Sequence, residues 1–254
     1  MKTLLRLLAR VCFRFRAFNP EVLSTPGPVL LVPNHVSWLD WLFLAVVLGD
    51  DWKFVTSSTT ARTSWVLHRV MVNRRTFPVD NASPYAVRAM AEHLQAGGRL
   101  VLFAEGRITL TGSLMKVYDG TGFLIRQSGA KGITCYLRGA ARGRFVRHHG
   151  WTRWLPRVTA HFSDALTAPE FPGLSNATAR AKVTTWLRDR MTRQQFDAEM
   201  AFGPQNLLAA VCETAANIPH RVALEDVSFQ ELTYRRLLVG AEVLGLQVDD
   251  LDDV

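Results

Sequence analysis

The stretch VLLVPNHVSWLD, residues 29–40, sets the architecture. Its first five residues form a β-branched apolar run that follows Pro26, Gly27 and Pro28, which predicts a buried strand. Asn34 and His35 come directly off its end. Ser37 is an N-cap candidate for a helix beginning at Trp38, with Asp40 in the first turn. A strand that passes at once into a helix is the unit of an α/β sheet, and the strand's carboxyl end is the rim where such folds bind ligands. A first-turn carboxylate can fold back toward His35. An imidazole held by a carboxylate keeps one tautomer and leaves its other nitrogen free as a base. The spacing alone carries nothing: His220 and Glu225 repeat it, and no chemistry is expected there.

A second segment, FAEGRIT at residues 103–109, follows some seventy residues later. The run RLVLF at 99–103 predicts another short buried strand, and Ala104, Glu105, Gly106 and Arg107 turn off its end. The planar fork of Arg107 matches phosphate oxygens. Glu105 is a candidate to orient Arg107 or a substrate hydroxyl. Two charged loops at two strand ends therefore predict one composite site, with a base on one loop and a cation on the other.

NHVSWLD and FAEGRIT resemble the NHxxxxD and FPEG blocks of the glycerolipid acyltransferases, the family that includes lysophosphatidate acyltransferase. The longer stretch FAEGRITLTGSLMKVYDGTGFLIRQSGA is most similar to the acyltransferase half of the bifunctional 2-acylglycerophosphoethanolamine acyltransferase/acyl-ACP synthetase subgroup. That subgroup has Arg directly after the Gly and a following TGSLMK-YDG stretch. The resemblance spans residues from about 20 to about 200. It implies an α/β fold, a central mixed sheet covered by helices. It also implies transfer of a fatty acyl group from an acyl-ACP or acyl-CoA thioester to the free hydroxyl of a lysophospholipid, with no further cofactor and no metal. In that reading His35 and Asp40 are the catalytic pair. Glu105, Gly106, Arg107, Arg74 and Lys116 bind the substrate, the three cations serving its phosphate. A 1-acylglycerol-3-phosphate acceptor, or a catalytically idle membrane-binding module of a synthetase fusion, are the alternatives. The chain departs from the family pattern at Ala104 and at Thr134, both places where Pro is usual.

The 254 residues, 48% of them apolar, suffice for one good-sized domain plus an appendage. Three widely spaced cysteines and no CxxC or HxxxH pattern give neither a disulfide framework nor a zinc site, and suit a reducing setting. The formal net charge is +8, and residues 120–163 contain no acidic side chain. Eight Arg and Lys in that stretch alternate with Phe145, Trp151 and Trp154, a composition suited to an anionic phospholipid surface. It would also suit nucleic acid, but no helix-turn-helix, zinc or RNA-binding signature accompanies it.

At the N-terminus Lys2, Arg6, Arg10 and Arg14 share one helical face, with Leu4, Leu8, Val11, Phe15 and Phe18 on the other. This predicts a basic amphipathic helix over residues 1–20, lying in a membrane interface or packed on the domain. Arginines interrupt every apolar run, which excludes a signal peptide. The apolar run at 41–48 is too short to span a bilayer. The expected location is the cytoplasmic face of the inner membrane, peripheral or monotopic.

Further helices are expected over 83–96, within 112–128 and over 175–200, with strands at ITCYL (133–137) and RVTAHF (157–162). The acyltransferase domain is assigned to 21–203. The segment VSFQELTYRRLLVGAEVLG resembles the opening of an adenylate-forming acyl-activating domain, so 204–254 is read as the start of a truncated domain of that kind or a helical tail, with Thr233 as a helix N-cap.

Overall fold

The run Val29–Pro33 is the central strand of a seven-stranded sheet in the computed structural model, which describes residues 2–57, 76–79, 85–147, 152–203, 206–227 and 230–252. The strands are β1 (Arg16–Phe18), β2 (Val29–Pro33), β3 (Trp52–Ser57), β4 (Thr76–Val79), β5 (Arg99–Val101), β6 (Lys131–Arg138) and β7 (Thr159–Phe162). They lie in the order β1-β7-β6-β2-β5-β3-β4. Neighbours are parallel except β6 and β7, so the sheet is mixed. Leu31 stands opposite Val101 on one side and Ile133 on the other.

Helices cover both faces. They are α1 (Lys2–Cys12), α2 (Asp40–Ala45), α3 (Tyr85–Gln95), α4 (Asp119–Ser128) and α5 (Asn176–Phe202). Strand alternation divides β2 between two cores. Val29 and Leu31 join Phe43, Leu44 and Ala9 on the α1/α2 face, while Leu30 and Val32 join Met90, Leu94, Leu124 and Val183 on the α3/α4/α5 face. This is why the strand reads as a continuous apolar run. Each such side chain, when fully buried, contributes about 1.5–3 kcal/mol.

The helices and strands that periodicity placed are present, with differences at their ends, and β1, β3 and β4 were not placed by it. Val87, Met90, Ala91 and Leu94 do form the inner face of α3. The expected strand at 99–103 stops at Val101, because Phe103 leaves the sheet to stack on the His35 ring. The N-terminal helix ends at Cys12 rather than near residue 20. Arg14 breaks it by adopting φ +46°, and Phe15 is buried against Phe43 with ring centroids 5.5 Å apart.

Contacts separate residues 1–198 from a second unit, 199–254. Within the latter lie α6 (Leu207–Asn217), a two-stranded antiparallel ribbon of β8 (Val222–Glu225) and β9 (Glu231–Thr233), and α7 (Tyr234–Asp252). Asn206 caps α6 through its Oδ1, which accepts from Ala209 N at 2.8 Å. Thr233 Oγ1 accepts from Arg236 N at 3.4 Å, the N-cap position expected for α7.

Candidate functional site

Because β2 and β5 run parallel, their carboxyl ends emerge on the same edge of the sheet, and the two loops meet there. Asn34 locks the first loop: its N–H donates to Cys135 O at 3.1 Å, and its buried Oδ1 accepts from Leu137 N at 2.7 Å. His35 is then fixed through its backbone. Its N–H donates to Glu105 Oε1 at 2.7 Å, and its carbonyl accepts from Thr109 N at 2.9 Å.

Asp40 folds back as expected. Its Oδ2 lies 2.9 Å from His35 Nδ1 and accepts the N–H groups of Val36 and Ser37, each at 2.8 Å. Three contacts on one oxygen fix the carboxylate, and the carboxylate fixes the ring. Phe103 supports the ring from one face, with centroids 4.1 Å apart. The His35 side chain is 21% exposed whereas Asp40 is fully buried, and Nε2 has no hydrogen-bond partner among the described residues. Asp40 Oδ1 is also buried without a partner there. Burial pushes the Asp40 carboxyl above its ordinary value, against the lowering by His35 and the two N–H groups.

The helix starts later than expected. It begins at Asp40, and Leu39 is its flanking residue, so Ser37 is not its N-cap. Instead Ser37 Oγ accepts from Leu39 N at 3.2 Å and donates to Phe145 O at 2.9 Å, while Trp38 N also donates to Phe145 O at 2.8 Å. The acid-free loop is thereby tied to the His35 loop, a link with no signature in sequence.

Glu105 has contacts that the sequence did not show. It forms no ion pair with Arg107 among the described residues. Oε1 accepts from His35 N, and Oε2 accepts from Met115 N at 2.8 Å. Both oxygens accept backbone N–H groups, which makes Glu105 a buried clamp between two loops. Burial raises its carboxyl, partly offset by those two N–H donors. Gly106 lets the chain turn at φ +71°, and a Cβ there would come 2.9 Å from Tyr118 Cε2. It shapes the turn and offers no side chain to a substrate.

Arg107 sits between two residues that hold His35, Glu105 before it and Thr109 after it. It is exposed, with no partner among the described residues. Lys116 is likewise exposed, one residue beyond the Glu105 clamp on Met115. Arg74 lies outside the described residues. Ala104 is buried and its carbonyl accepts from Tyr118 N at 3.1 Å, while Thr134 is buried within β6. Asn34, Phe103 and Tyr118 were not singled out from sequence, although Asn34 and Phe103 belong to the two quoted motifs.

The arrangement is a held imidazole with a partly exposed ring, on a loop bonded to the one that carries an exposed arginine. Comparison with known proteins relates part of the chain to a family. Residues 14–138 match the acyltransferase family. The matched residues contain the His35 loop, the Glu105 clamp and Arg107. A lyso-ornithine lipid O-acyltransferase of Brucella abortus (strain 2308) is 30% identical over 159 residues, 56% of this chain and 58% of that protein, so the chain spans less than two thirds of this relative. The 1-acyl-sn-glycerophosphate acyltransferase PlsC from Thermotoga maritima shares the fold, with a TM-score of 0.55 at 14% identity. The likeness covers 76% of this chain and 79% of that one. The acyltransferase fold is thus the mixed sheet flanked by helices described above.

Proposed function

We propose that the chain transfers a fatty acyl group from acyl-ACP or acyl-CoA to the free hydroxyl of a lysophospholipid of the 2-acylglycerophosphoethanolamine kind, in phospholipid synthesis or repair. The observation that carries this is the 2.9 Å contact between His35 Nδ1 and Asp40 Oδ2, with Nε2 left unpartnered at the sheet's rim. Nε2 takes the proton of the acceptor hydroxyl as its oxygen attacks the thioester carbonyl. Asp40 steadies the imidazolium so formed. The tetrahedral intermediate collapses with departure of the thiolate, which recovers the proton from His35. Arg107, with Lys116 and Arg74 as further cations, holds the acceptor's phosphate.

The acceptor's head group separates this reading from a 1-acylglycerol-3-phosphate acyltransferase. The B. abortus relative is named for a lyso-ornithine lipid, which belongs in the same test. Purified protein given labelled acyl-ACP or acyl-CoA and these three lyso acceptors should acylate one of them, with lysophosphatidylethanolamine preferred. No turnover with any would refute acyl transfer and leave an idle tether.

Association with the cytoplasmic face of the inner membrane is part of the same reading. Helix α1 packs on the core through Leu5 and Ala9, while Leu4, Leu7, Leu8 and Val11 are 48–68% exposed. At about 100° per residue these four share the side away from the domain. Such an outward apolar stripe beside arginines suits a helix in the headgroup region. No helix among the described residues is long and apolar enough to cross a membrane.

A further inference from the structure

An open pocket of about 930 Å³ lies apart from the His35 loop, between α1, β1 and the end of α2. Five arginines line it: Arg6, Arg10, Arg14, Arg16 and Arg157. No acidic side chain lines it, and none of the five is in an ion pair among the described residues. Gathering unneutralised guanidinium groups at one concavity is repulsive unless an anion shares it.

The local build brings them together from three separate places. Arg6 and Arg10 are one helical turn apart on α1, between its buried and its outward apolar sides. Arg6 Nε is anchored by donating to Val46 O at 2.7 Å. Arg14 ends the helix in a left-handed conformation, φ +46°, which asparagine or glycine would take more readily. That turn carries the chain into β1, where Arg16 pairs with Thr159 of β7, close after Arg157. The fork of each guanidinium fits phosphate oxygens.

We propose that this pocket binds the phosphate headgroup of an anionic phospholipid, at a site separate from the catalytic acceptor. The exposed Leu4, Leu7, Leu8 and Val11 on the same helix favour a lipid over free phosphate, since they place hydrocarbon-seeking side chains beside the phosphate-seeking ones. This rests on the membrane part of the function proposed above, and not on the acyl-transfer part.

The test is a titration of the intact chain with dihexanoyl phosphatidylglycerol below its micelle concentration. Dihexanoyl phosphatidylcholine, inorganic phosphate and acyl carrier protein are the comparison ligands. The expected result is one saturable site for the anionic lipid, at least about tenfold tighter than for phosphatidylcholine or phosphate. With about fivefold expected per arginine, Arg157→Gln alone weakens it about fivefold, and Arg14→Gln, Arg16→Gln and Arg157→Gln together about a hundredfold. Should the triple variant misfold, the single one still decides. Turnover of a monomeric lysolipid by Arg157→Gln should match wild type, and His35→Ala should bind the lipid unchanged. Inorganic phosphate binding as tightly as the lipid would overturn the assignment. So would affinity unaltered by Arg157→Gln, or an effect of that substitution confined to acyl carrier protein.

Discussion

Replacing Asp40 by asparagine tests the pair in its most exposed assumption, that the carboxylate acts through its charge. Two backbone N–H groups, of Val36 and Ser37, point at the Oδ2 position at 2.8 Å. An amide nitrogen there would face two donors, so the carbonyl oxygen takes that place. It still accepts from His35 Nδ1, so the imidazole keeps its tautomer and only the charge is lost. At an effective dielectric near 20, opposite charges about 4 Å apart attract by about 4 kcal/mol. That is the stabilisation withdrawn from the imidazolium in the transition state. At about 1.36 kcal/mol per decade it predicts a fall in kcat of about 10³-fold. The amide nitrogen falls at the Oδ1 position, which is buried and has no partner. This costs about 1–3 kcal/mol of stability, offset by relief from burying a carboxylate. Acyl transfer by purified Asp40→Asn, measured with labelled thioester beside a thermal melt, should show a large kinetic loss with little change in melting temperature. Activity within about threefold of wild type would refute the reasoning.

Arg107→Lys should raise acceptor KM about tenfold, since a bidentate fork becomes a point charge, while an acceptor without phosphate should not notice the change. Gly106→Ala should cost about 1–2 kcal/mol in urea unfolding and lower kcat, because φ +71° disfavours a Cβ that would also press on Tyr118. Burial raises the Asp40 carboxyl, so between the unfolded and native values the folded state binds more protons, and stability falls as pH rises through that window. The urea midpoint of Asp40→Asn relative to wild type should therefore climb as pH rises through and above the ordinary carboxylate range; a falling difference would contradict the direction of that shift.

Much of the site was legible because its signals are local. A buried strand followed by NHVSWLD places His35 and Asp40 within five residues, and the fold-back needs no distant partner. The role of Glu105 was hidden for the opposite reason. Its acceptors serve the N–H groups of His35 and Met115, one of them 70 residues away, and backbone partners leave no trace in side-chain pattern. The same holds for Phe145, whose carbonyl ties the acid-free loop to Ser37 and Trp38. At the N-terminus periodicity found the helix but carried it past Cys12. Arg14 breaks the repeat by its backbone conformation, and Phe15 belongs to the core rather than to a helical face. Periodicity also assigned Leu4, Leu8 and Val11 to one side without saying whether that side was buried. The packing of Leu5 and Ala9 settles that it faces outward.

The central claim is that His35 is the base. His35→Ala removes a partly exposed ring at the sheet's rim, and leaves in place the backbone bonds to Glu105 and Thr109 that hold the loop. Product formation from labelled acyl thioester and lysophosphatidylethanolamine, followed with the variant at wild-type melting temperature, is the most direct measurement. The account predicts a loss of roughly 10²–10⁴-fold or more. Turnover within about threefold of wild type in the folded variant would contradict it.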